Sequence, residues 1–220
     1  MQPLMPKTKF VIGLDFDNTL VSYDEAMYQT ALELDFISGQ TAVHNKQQVR
    51  DYLRALPAGE LQWQKLQAEV YGKRMNQARL MDGVERFFRT CKDDHIPTFI
   101  VSHKSKYAAQ DQEKVNLQEA ALIWMRQNHF FDKDGLGLAE DRIYFEDSRE
   151  KKVLRIKELG CGYFVDDLQE VFLEKNFPQE TVRMLFSPAN GHDLNVGAEI
   201  VSGIKVFRSW DDIYNYFFVK

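Results

Sequence analysis

Residues 10–20 read FVIGLDFDNTL, and the character of the chain changes at Asp15. From Lys9 up to Asp15 there is hardly a polar interruption, the pattern of a strand buried on both faces in a parallel sheet. A carboxylate cluster follows at once. A regular strand would point Asp15 and Asp17 to one face, so both reach a common pocket if the chain leaves extended geometry there. The plainer alternative is an acidic turn that ends the strand, since Asp and Asn favour turns. The rest of the chain has to decide between the two.

The same apolar shape returns at Ile96 to Ser102, Arg142 to Asp147, Gly162 to Asp167, Val182 to Ser187 and Ile204 to Arg208, and most of these runs end in polar residues. Between them lie stretches with helical spacing: Val84, Phe87, Phe88 and Cys91; Leu117 to Met125; Val153, Ile156 and Leu159; Trp210 to Phe218. This alternation predicts an α/β fold with a doubly wound, Rossmann-like parallel sheet, whose ligands bind outside the carboxyl ends of the strands. One stretch breaks the pattern. Asp24 to about Asp82 shows no convincing strand but has helical spacing in Val49, Tyr52, Leu53 and Leu56, then in Trp63, Leu66 and Val70, with Pro57 and Gly59 between two helices. The reading is a core of residues 1–23 and 83–220, with a helical domain of residues 24–82 inserted after the first strand.

With 220 residues and 44% hydrophobic content the chain can bury a sizeable core. A net charge of -5 supplies no broad basic field, which argues against nucleic acid or an anionic membrane as a general partner. No run approaches the ~20 apolar residues of a membrane span. Cys91 and Cys161 sit in apolar contexts without metal-ligand spacing, as expected of buried thiols in a reducing compartment, with the cytoplasm as the default. The sequence leaves open whether the protein is a monomer or a homodimer.

Four short segments in order carry a resemblance: DFDNT at 15–19, FIVS at 99–102, EKKV at 150–153 and FVDD at 164–167. Together they resemble the motifs of the haloacid dehalogenase superfamily, namely DxDx[TV], a strand ending in Ser or Thr, a lysine, and an acidic pair after a strand. The resemblance runs from Phe10 to about Phe218. It implies a phosphatase type with a helical, C1-type cap made by the insert, which would act as a lid with hinges near Ser22-Tyr23 and Asp82-Gly83.

On that resemblance Asp15 is the nucleophile that forms an aspartyl-phosphate, and Asp17 is first general acid, then general base. An acid at the second position goes with phosphate ester hydrolysis rather than carbon–halogen cleavage. Several carboxylates facing a phosphate repel one another by about 4 kcal/mol per pair at ~4 Å and an effective dielectric of ~20, so a cation is needed. Mg2+ suits an oxygen-only site. Its implied ligands are the Asp15 carboxylate, the Asp17 backbone carbonyl and Asp166. Asp167 would bind through water or orient the lysine, or simply cap the next helix.

Ser102 would donate to a phosphate oxygen, and Thr19 would shape the turn and the surroundings of the nucleophile. For the lysine, Lys151 and Lys152 are both candidates; Lys152 is preferred because, with Ser148 as N-cap, it falls one turn into the helix beside the apolar face. The expected substrate is a small phosphorylated metabolite. The competing readings are a phosphotransferase or phosphomutase with the same chemistry, and a catalytically silent domain that binds a ligand or a protein.

Overall fold

The computed structural model describes residues 10–188 and 202–219. Strand β1 (Val11–Leu14) runs into a two-residue strand β2 (Val21–Ser22), and helices α1 (Asp24–Glu33), α2 (Lys46–Arg54) and α3 (Gly59–Tyr71) follow before β3 (Arg79–Leu80). Helix α4 (Val84–Asp93), β4 (Thr98–His103), α5 (Leu117–Gln127), β5 (Ile143–Glu146), α6 (Arg149–Glu158) and β6 (Cys161–Asp166) then alternate. A short α7 (Gln169–Phe172), β7 (Val182–Phe186), β8 (Ile204–Phe207) and α8 (Trp210–Phe218) complete the chain.

The large sheet has six strands in the order β5-β4-β1-β6-β7-β8, every neighbouring pair parallel. The chain winds outward from β1 through β4 to β5, then returns to the other side of β1 with β6. The crevice where the direction of winding reverses therefore lies at the carboxyl ends of β1 and β6, the place where open α/β sheets bind ligands.

Alternation along the strands sends side chains to two apolar layers. Ile12, Leu14, Ile100 and Val165 join one buried cluster with Phe87 of α4, Trp124 of α5 and Trp210 of α8. Val101, Phe164 and Leu185 join the other with Val153 and Ile156 of α6 and Phe172 of α7. Gly13 faces the second layer, and a Cβ there would meet Phe164 Cδ2 at 2.5 Å and Cys161 Sγ at 2.8 Å. Only glycine lets β1 sit that close to the ring.

The helical faces read from the sequence are largely those that bury: Val84, Phe87, Phe88 and Cys91 are all inside. In α2 the apolar stripe is narrower than its spacing indicated. Val49 and Leu53, on the side that packs against α1 and α3, are fully buried, whereas Tyr52 and, just beyond the helix, Leu56 are each 37% exposed. A strand inside 24–82 was not expected, yet β3 pairs antiparallel with β2, Val21 opposite Leu80 and Ser22 opposite Arg79. Two residues are too few to show a period of two.

The helical segment does not stand apart. Met27, Val49, Leu53, Trp63, Leu66 and Val70 belong to the same buried cluster as Phe16 and Trp124, and Trp124 Nε1 donates to the Ala78 carbonyl at 3.0 Å. Among the described residues no helix is long and apolar enough to cross a membrane.

Candidate active site

Asp15 is still held in the sheet, its amide donating to Val165 O at 2.9 Å. One residue later the chain folds back. The Phe16 carbonyl accepts from Leu20 N at 3.0 Å and Val21 N at 3.2 Å, and Asn18 N donates to Val21 O at 2.9 Å. Asn18 takes φ +60°, a left-handed conformation that asparagine tolerates better than most residues. Phe16 is fully buried and packs edge-on against Trp124, ring centroids 5.8 Å apart. The turn thus separates the two aspartates, which a straight strand would have aligned.

Asp15, Asp166 and Lys152 meet at the crevice. Lys152 Nζ lies 2.5 Å from Asp15 Oδ1 and 2.7 Å from Asp166 Oδ2, with side-chain exposures of 2%, 6% and 0% respectively. The lysine reaches them because Ser148 caps α6, accepting from Lys151 N, which places position 152 on the inward face. Lys151 points outward and pairs with Asp147 at 2.8 Å. Of the two adjacent candidates, only Lys152 enters the cluster.

Among the described residues Lys152 is the ammonium in direct contact with this excess of acid, and Lys46 acts on Asp167 from farther away. One carboxylate oxygen from each of Asp15, Asp166 and Asp167 lies within 4.8 Å of the others. Burial pushes the Asp15 carboxyl up to about 6, Lys152 working against this and Asp166 with it. Asp167 is raised well above the carboxylate range, by burial first and then by Asp15 and Asp166. Burial would lower Lys152, yet the two carboxylates it touches raise it, so it stays charged. The remaining deficit of positive charge, lined by oxygen alone, fits a hard divalent cation with few protein ligands.

Asp17 belongs to a different arrangement. Its carboxylate turns toward Lys104, 2.9 Å from Oδ2, and Tyr23 OH donates to Oδ1 at 2.5 Å. Lys46, at the start of α2, donates to Asn18 Oδ1 at 2.8 Å and lies over the Tyr71 ring at 5.6 Å. The carbonyl expected of Asp17 as a metal ligand is a separate atom from this engaged carboxylate.

Ser102 is the penultimate residue of β4, beside β1, and Leu14 pairs with Ile100 in that register. It is buried, and its hydroxyl has no hydrogen-bond partner among the described residues. A buried hydroxyl left open at a crevice is costly unless a ligand completes it. Thr19 is fully buried with an equally unpartnered Oγ1, while its carbonyl accepts from Trp210 Nε1 at 2.9 Å. Sequence reasoning missed Lys104 and Lys46, and named Tyr23 only as part of a hinge. A lysine just past a strand end is ordinarily solvated; its short distance from Ser102 was the one available signal.

No family model and no curated protein matches the sequence. Solved structures do match. A HAD family hydrolase from Deinococcus radiodurans R1, with bound phosphate and sodium, superposes with a TM-score of 0.58 at 12% identity over 96% of each chain. A HAD hydrolase of family IA, variant 3, from Entamoeba histolytica gives 0.52 at 13% identity over 96% of this chain and 97% of its own. A HAD-superfamily hydrolase, subfamily IA, variant 1, from Geobacter sulfurreducens gives 0.51 at 11% over 94% and 95%. The chain has the fold of the haloacid dehalogenase hydrolases.

Proposed function

We propose that this protein is a magnesium-dependent phosphatase that hydrolyses the phosphate monoester of a small phosphorylated metabolite through an aspartyl-phosphate on Asp15. The observation that carries the reading is the company of Asp15. It sits at the end of the central strand, paired with Lys152, inside an acid cluster of metal-binding dimensions, beside a strand that carries near its end the open hydroxyl of Ser102. The bound phosphate of the Deinococcus structure supports the same assignment for this fold.

In this reading an Asp15 oxygen attacks phosphorus, the ester P–O bond breaks, and Asp17 delivers a proton to the departing alcohol oxygen. Asp17 then takes a proton from the water that attacks the phosphoaspartate, which releases inorganic phosphate and restores Asp15. Lys152 balances charge on Asp15 and the phosphoryl oxygens, and Ser102 donates to one of them. Asp15, Asp166 and the Asp17 carbonyl, with Asp167 nearby, would hold Mg2+, which would supply the positive charge that lets a phosphate dianion approach four aspartates. The helical segment 24–82, joined through the β2–β3 ribbon, is the lid, and its Lys46 reaches Asn18 Oδ1 at 2.8 Å. The buried thiols, both pushed up to about 12 by burial, fit a reducing compartment such as the cytoplasm.

The test is phosphate release from a panel of phosphorylated sugars, nucleotides, amino acids and cofactors, with and without Mg2+. Release that depends on Mg2+ and disappears in Asp15→Asn is the expected result. Transfer of label between sugars without release to water would make the enzyme a phosphotransferase instead.

A further inference from the structure

An aspartate that serves first as acid and then as base has to keep its carboxylate aimed at one point while the substrate changes around it. Asp17 opens a tight turn and bridges to Val21, which holds its main chain but leaves the side-chain rotamer to its partners. We propose that Lys104 is the positioning residue that sets the direction of the Asp17 carboxylate, with Tyr23 as the second half of the clamp; this rests on the phosphatase reading above.

The ammonium spans both oxygens, 3.1 Å from Oδ1 and 2.9 Å from Oδ2. Tyr23 OH adds its bond to Oδ1 at 2.5 Å. This is not a surface pair: the Lys104 side chain is 3% exposed and that of Asp17 20%. A buried ammonium is expensive unless paired and well oriented, and here the main chain around it is pinned on both sides. Lys104 N donates to Glu146 O at 2.9 Å, and Gln118 Nε2 donates to the Lys104 carbonyl at 2.8 Å.

The side chain then passes between two rings, with Nζ 5.9 Å from the centroid of Phe16 and 5.0 Å from that of Tyr71. Tyr71 ends α3 and meets Tyr23 edge-on, centroids 4.8 Å apart and planes at 89°. The clamp on Asp17 is therefore built jointly by the sheet side, through Lys104, and by the helical segment, through Tyr71.

The experiment compares Lys104→Met, Lys104→Arg, Asp17→Asn and the double variant Asp17→Asn/Lys104→Met on the full chain with Mg2+. Lys104→Met keeps the length of the stem and removes the charge. It is expected to lower kcat on an alkyl phosphate by about 10²-fold while KM stays within about threefold. The loss on p-nitrophenyl phosphate, whose leaving group departs without a proton, is smaller. Lys104→Arg recovers most of the rate, and the double variant is no slower than Asp17→Asn alone, since both changes disable one device.

A rise in KM with kcat intact would make Lys104 a substrate ligand, and losses that multiply would make it independent of Asp17; either overturns the proposal. A crystal structure of Lys104→Met gives a readout independent of turnover. A displaced Asp17 carboxylate supports the clamp, and an unmoved one sinks it. Should the unaltered protein release no phosphate from any ester, the phosphatase reading fails, and the Asp17 orientation in that crystal still decides what Lys104 does.

Discussion

The two aspartates of the DFDNT turn are two residues apart and live in opposite surroundings. Asp15 is locked into the sheet, buried among like charges, with a single ammonium shared between it and Asp166. Asp17 is partly exposed and held by side chains from other elements, a buried lysine from the β4–α5 loop and a buried tyrosine at the head of α1. The difference follows from position. The strand end is held by main-chain hydrogen bonds on both sides, so groups there are rigid and short of charge compensation. The residue that opens the turn depends, for the direction of its side chain, on whatever side chains the next elements bring. A nucleophile needs the first environment, and a group that alternately gives and takes a proton needs the second.

The comparison is easiest to break by swapping charge for amide at each position. Asp15→Asn should abolish phosphate release, a loss on the order of 10⁴-fold or more as for other removed nucleophiles. Asp17→Asn should cost about 10²–10⁴-fold and leave a phosphoaspartate that can be trapped with acid, because the attack survives when the proton transfers do not. Equal losses with no trapped adduct would mean that the two acids do not divide the work. Removing Mg2+ with chelator should bring release near background, and re-addition should restore it.

Stability probes the same contrast on a smaller scale. Lys152→Met leaves buried carboxylates without their cation, and should destabilise the metal-free protein by about 3–5 kcal/mol in denaturant unfolding. Mg2+ should recover part of that loss if it occupies the cluster beside Asp15. Ser148→Ala removes the cap that places Lys152 one turn into α6, at about 1 kcal/mol. Lys151→Met, next to Lys152 but solvated and paired only with exposed Asp147, should leave the unfolding midpoint where it was. A loss at Lys151 as large as that at Lys152 would refute the inward placement of Lys152.

What could be read in advance divides along the same line. Strand ends were legible because a continuous apolar run that stops in Asp or Ser is a local pattern, and Asp15, Ser102 and Asp166 each stand at such an end. Lys152 was legible through the cap at Ser148 and the apolar spacing of Val153 and Ile156, which set the face of the helix. Lys104 and Tyr23 were not. Their partner, Asp17, is 87 residues from the first and six from the second, and no local period connects a loop lysine with a turn aspartate.

The helical segment shows the same limit. Helices α2 and α3 were visible in their spacing, with Pro57 falling between them as read and Gly59 opening α3 instead. Which of their residues face inward was not, and Tyr52 and Leu56 proved more exposed than their spacing indicated.

By itself, the sequence determined the alternation of buried strands and amphipathic helices, and with it the sheet edge at which the acids gather, because hydrophobic periodicity is written locally. Tertiary structure alone decided which cation answers which acid. Lys152 serves Asp15 and Asp166 while Lys104 serves Asp17, and Lys46 comes from the helical segment to Asn18. Ion pairs between distant elements depend on how the sheet is wound and how the helices pack on it, and those distances do not exist until the chain has folded.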